Sequence, residues 1–208
     1  MNKRLMWGNA RTLLDLGELV ARWLEGRLPS LPHYDAEPAP ETEAIAEILA
    51  RLNRAGFFTT DSQPGMPLDN TGFAQRAWVN AYAGEEIAKR VAALGLHTDL
   101  IVFVFEPGQA GGYPLPITVR GFQPVTWDGL GCADVDLYGI TDGLSESARG
   151  ELRAAWNLVV IDPAWGRKSY LWELVERAVV SPDPKEGRWN YRPYGSYDDM
   201  DPDYEPRS

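Results

Sequence analysis

The chain is poor in cysteine and histidine: Cys132 is the single cysteine, and His33 and His97 are the two histidines, in 208 residues. One thiol closes no internal disulfide, so a reducing, cytoplasmic setting is expected. Cys132 itself is expected to be a buried structural thiol, as free cysteines commonly are. So few soft ligands leave no zinc site. Long apolar runs are missing too; nothing approaches the roughly 18 residues of a membrane span. The head, "MNKRLMWGNARTLLDLG", is basic, but Arg11 and Asp15 interrupt its apolar part, so a secretory leader is not expected. Positive charge is scarce: Lys plus Arg is 20 against 30 for Asp plus Glu, a formal charge of −10 with no basic run. A net anion repels phosphate backbones, which disfavours direct nucleic-acid binding. Familiar catalytic signatures are absent as well. There is no P-loop, no G-x-G-x-x-G after a strand, no G-x-S-x-G elbow and no H-E-x-x-H helix.

What is present suffices for a sizeable core: 44% of residues are apolar and eight are tryptophans. The spacing of Leu13, Leu16, Val20, Trp23 and Leu24 predicts a helix from Thr12 to Gly26. Four prolines in residues 29–40 make the next stretch a linker or wrapping arm, with His33 in solvent. A second helix follows from Pro40, burying Ile45, Ile48, Leu49 and Leu52 and stopping at Gly56. Strands are expected at residues 57–60, 75–83, 99–106, 117–122, 135–140 and 158–162, and further helices at 84–95, 145–157 and 170–180. The unbroken apolar run "DLIVFVFE" reads as a strand covered on both faces. The fold expected is α/β or α+β: a mixed β-sheet covered by helices, with an N-terminal helix and a proline-rich arm. Residues 1–180 form one globular domain in this reading. Residues 181–208, rich in Tyr, Pro and acids, form a tail that is flexible or docked.

Three strands end alike. Asp61 follows "FFTT", Glu106 follows "VFVF" and Asp162 follows "LVVI", each with proline and glycine soon after. If these strands run parallel, their ends meet on one edge, where open α/β sheets bind ligands. The polar groups there would be Thr59, Thr60, Asp61, Ser62, Gln63, Glu106, Asp162, Trp165 and Arg167, with Gln75 and Arg76 folding back from the long loop. Converging carboxylates can hold Mg²⁺ and act on a phosphate; the same hydroxyls and amides can instead hold a small polar ligand. Arg76 and Arg167 can clamp an anion bidentately, or serve as ordinary salt-bridge partners. Against all of this stands plain turn chemistry, in which an acid before proline caps a turn.

The stretches "WGNARTLLDLGELVARWLEG", "NRAGFFTTDSQPG", "QRAWVNAYA" and "WNLVVIDPAWGRKSYLWELV" together resemble an uncharacterised family of actinobacterial and actinobacteriophage proteins, over about Trp7 to Val180. The resemblance implies a soluble intracellular protein of bacterial or phage origin, and supplies no catalytic residue or cofactor. The leading expectation is a binding or interaction protein that engages a host protein or a small, nucleotide-like ligand. A metal-assisted hydrolase or phosphoryl-transfer enzyme using the strand-end acids is the alternative, and an acidic DNA mimic a third.

Overall fold

The computed structural model describes residues 3–136 and 139–180; the tail from Ser181 onward lies outside the described residues. Helix α1 spans Lys3–Asn9 and α2 Leu13–Leu24. Thr12 starts α2 with a capping box: its hydroxyl accepts from the Asp15 N–H, and the Asp15 carboxylate accepts from the Thr12 N–H. The arm then wraps over the core. Leu28 and Leu31 are buried, His33 is exposed, and the Trp23 indole donates to the Ala36 carbonyl at 2.9 Å. A 3₁₀ turn, Pro40–Ile45, leads into α3, Ala46–Arg54. Gly17 lets α2 and α3 touch backbone to backbone, since a Cβ there would lie 2.1 Å from the Asn53 carbonyl oxygen.

The remaining elements are β1 (Phe57–Gln63), β2 (Ala74–Ala83), α4 (Glu85–His97), β3 (Ile101–Phe105), β4 (Gly111–Arg120), β5 (Gln123–Gly131), α5 (Glu146–Ala154), β6 (Trp156–Trp165) and α6 (Tyr170–Val180). The result is an α+β fold whose six strands form an antiparallel sheet of order β3-β6-β2-β4-β5, with β1 also paired to β2. One face carries the main core. There Leu16, Leu49, Leu52, Val79, Val91, Leu158 and Leu171 are fully buried between strands and helices. The β4–β5 hairpin folds over the opposite face and closes a smaller core of Trp78, Phe105, Ile117, Val159 and Ile161. Glycines permit that approach: a Cβ on Gly131 would meet the Phe105 ring at 2.5 Å, and one on Gly129 (φ 112°) would lie 2.4 Å from the Tyr113 carbonyl oxygen.

Several boundaries depart from the sequence reading. β3 is covered on both faces, Val102 and Val104 against the main core and Ile101, Phe103 and Phe105 at the smaller one, but as the last strand of the described sheet order it is only half-buried along most of its length. "GGYPLP", outside the expected strands, begins β4, and β5 occupies a stretch that likewise had no assignment. The strand expected at 135–140 is not formed among its described residues, which are turns around Gly139. β1 runs to Gln63, past the expected stop at Thr60, because a bulge carries it on.

Candidate functional site

That bulge decides where Asp61 goes. Phe57, Phe58 and Thr59 oppose Ala83, Tyr82 and Ala81, but Asp61 then opposes Asn80, leaving Thr60 as the extra residue. An unbulged strand would have placed Thr60 opposite Asn80 and turned Asp61 toward the helices, because successive side chains alternate faces. Instead Thr59 faces the helices, where its hydroxyl accepts from the Asn53 amide at 2.7 Å and its N–H donates back to Asn53 at 3.0 Å. Asp61 joins Asn80 on the opposite face.

A cavity of about 590 Å³ wraps this edge of the sheet, reaching Val20, Leu24 and Leu49 on the helix side as well as Asp61 and Asn80 on the other. Its floor is β1 and β2, with Thr59, Thr60, Asp61, Ser62, Asn80 and Tyr82. One wall is β5 and its exit, with Trp127, Asp128, Leu130 and Cys132. The other wall is the arm and the end of α2, with Trp23, Leu31, His33, Tyr34 and Glu41. Trp23 and Tyr34 meet edge to face, ring centres 6.0 Å apart, which fixes the arm against α2. The lining includes three carboxylates, Glu41, Asp61 and Asp128, and no lysine or arginine among the described residues.

Two of those acids are perturbed. Asp128 is half-buried, and desolvation pushes its carboxyl up to about 6, against the pull of the Gly129 N–H and with added repulsion from Asp61. Asp61 is exposed at the cleft, and desolvation by the surrounding walls raises its carboxyl as well. The Ser62 N–H at 2.8 Å opposes the rise, and Glu41 adds to it. Cys132, expected to be buried, is half-buried at the cleft instead; its Sγ lies 3.0 Å from the Asp134 carbonyl oxygen.

The other predicted site residues build structure. β1 and β6 run in the same direction, both antiparallel to β2, while β3 runs the opposite way. Glu106 therefore lies on the far rim, exposed in a turn where its N–H donates to the Gln109 side chain at 2.9 Å. Asp162 leaves the sheet on the helix side, one residue beyond Ile161 of the hairpin-side core. It is fully buried and held by Arg167 through contacts of 2.5–2.9 Å. The expected three-acid pocket does not form, because β3 runs opposite to β1 and β6, and Asp61 and Asp162 leave the sheet on different faces. Arg167 also grips Asp99 at 2.7 Å and stacks on the Tyr170 ring. Arg76 lies 4.3 Å over the Trp165 ring and donates to the carbonyls of Pro163 and Pro116. Gln63 donates to Arg76 and Ile117 carbonyls and accepts from Thr118; Gln75 is buried beside Pro64. These side chains staple β1, β2, β4 and β6 together. They leave Thr59 to Ser62 as the part of the predicted set that lines the cleft.

Sequence reasoning missed Asp128, Trp127 and Asn80. The available signal was "VTWDGLG", a polar–apolar alternation ending in Asp-Gly, which fits a strand folded back from "ITVRGF".

Residues 2–182 match a domain of unknown function, DUF6919, and the chain belongs to that family. A stretch of 72 residues is 31% identical to methylenetetrahydrofolate reductase 1 of Schizosaccharomyces pombe; it covers 35% of this chain and 12% of that enzyme.

Proposed function

We propose that this protein is a small-molecule-binding protein whose Asp61–Asp128 cleft takes an organic cation. One observation carries the reading: raised carboxyls from two distant strands converge on a cavity walled by Trp127, Tyr34 and Tyr82, with His33 at its wall but no lysine or arginine in the described lining. A volume of about 590 Å³ is within the range of small-ligand sites. Carboxylates held in a desolvated hollow lower their energy by taking a positive charge, and aromatic faces add cation–π attraction. The same lining argues against the phosphates of a nucleotide-like ligand. The resemblance to methylenetetrahydrofolate reductase 1 covers too small a share of that enzyme to bring its whole activity here.

The test is a thermal-shift and calorimetric comparison of benzyltrimethylammonium with its uncharged isostere, neopentylbenzene. The cation is expected to raise the melting temperature and the isostere to leave it unchanged, since a ligand bound only by the native state stabilises it. Asp61→Asn and Asp128→Asn should each weaken cation binding by about tenfold, or about 1.4 kcal/mol. Binding should also strengthen as pH rises through about 6, where Asp128 ionises. Equal binding of the two probes would overturn the reading.

A second reading rests on the unequal acids. A carboxyl that titrates near 6 beside another acid suits general acid–base work. Turnover of a bound compound, abolished by Asp128→Asn with binding retained, would favour it.

A further inference from the structure

The cleft has a donor as well as acceptors, and its direction is fixed from inside the sheet. Asn157, buried on β6, accepts from the Cys132 backbone N–H at 3.3 Å through Oδ1 and donates to the Ala81 carbonyl at 3.2 Å through Nδ2. A backbone N–H only donates and a carbonyl only accepts, so the Asn157 amide has one orientation. That orientation commits Nδ2 to a second acceptor, the Asn80 Oδ1 at 2.7 Å. Asn80 is thereby oriented in turn: its oxygen faces Asn157, and its Nδ2, which has no acceptor among the described residues, is left at the cleft beside Asp61.

Resting on the cation reading above, we infer that the ligand class is amino-carbonyl: a positive group for Asp61 and Asp128 and, a few bonds away, a carbonyl oxygen that accepts from Asn80 Nδ2. Asn157 is the positioning residue that aims this donor. A half-buried amide donor left without an acceptor selects for a ligand that supplies one, because a site built to hydrogen-bond disfavours analogues lacking the group. A free carboxylate fits less well than a neutral amide or ester, since Glu41, Asp61 and Asp128 line the same space.

The test uses two permanently charged probes of matched shape, benzyldimethylammonioacetamide, which carries the carbonyl, and benzyldimethylisobutylammonium, which does not. The full chain is expected to bind the amide about tenfold tighter. Asn80→Ser should bring the ratio near one by lowering affinity for the amide probe. Asn157→Ser should reduce the ratio in the same way by releasing the Asn80 amide; a merely structural Asn157 would lower both affinities together and leave the ratio intact. Equal binding of the probes to the unmodified protein, or a preference that survives Asn80→Ser, overturns the inference and leaves the cation reading standing. Binding of neither probe removes the cation reading, and this inference with it. Circular dichroism of each variant confirms that it is folded; if Asn157→Ser unfolds, Asn80→Ser alone decides.

Discussion

Asp162 and Asp128 sit on the same sheet and meet opposite electrostatic fates. Asp162 is fully buried, yet Arg167 grips both of its oxygens and the Ala164 N–H donates to it at 2.8 Å. Asp128 retains some exposure, but its intramolecular help is the neighbouring Gly129 N–H, and its nearest charged influence is another acid. The difference shows that burial alone does not mark a binding site. A buried acid given its cation by the chain is a fastener, here locking the turn after β6. An acid desolvated without one keeps a raised carboxyl, the feature on which the proposed cation site rests.

The comparison breaks most visibly at Arg167. Arg167→Met strands the Asp162 carboxylate in the interior, and the expected loss is about 3–5 kcal/mol in urea unfolding. Asp162→Asn combined with Arg167→Met should recover much of that loss, since no unpaired charge remains. A loss below about 1 kcal/mol for the single change would mean that Asp162 is not held as a fastener.

Asp128 gives a smaller effect of opposite sign. Its folded-state value, about 6, lies above the ordinary 3.8, so the folded state takes up a proton more readily than the unfolded chain. The resulting stability is fully present below 3.8 and is lost as pH rises through about 6. Asp128→Asn should therefore stabilise the protein at neutral pH by about 1–2 kcal/mol, after allowing for solvent at the cleft mouth. It should also flatten the stability profile between those two values. Urea titrations at several pH values measure this, and an unchanged profile would place Asp128 in ordinary solvent.

The fastener region was better marked in the sequence than the cleft. Asp162 and Arg167 lie in one short motif, "IDPAWGRK", and their pairing needs only a local turn. Helices α2, α3, α4 and α6 were readable from apolar spacing and caps because those signals are local too. The cleft depends on events with no local signature. Asp61 reaches it through a one-residue bulge, Asn80 through an amide relay from β6, and Asp128 through a hairpin whose strands are broken by glycine and proline. Parallel pairing was assumed for three strands that end alike, and β3 runs the other way. Sequence fixes a strand's pattern of side chains, not the direction of its neighbour.

Glu106 is the sharpest control on that last point. By sequence it has the same standing as Asp61 and Asp162: an acid at the end of a strand, with proline and glycine soon after. In the fold it is an exposed turn residue on the far rim, and its backbone N–H, not its carboxylate, makes the bond to Gln109. A carboxylate in open solvent contributes little on losing its charge, so Glu106→Gln should change unfolding free energy by less than about 0.5 kcal/mol. It should also leave benzyltrimethylammonium affinity within about twofold, where Asp61→Asn and Asp128→Asn each cost about tenfold. If Glu106→Gln instead weakened cation binding as strongly as those changes, β3 would have to end beside β1. The antiparallel register of β3 with β6, Ile101 opposite Ile161 and Phe105 opposite Asn157, would then be wrong.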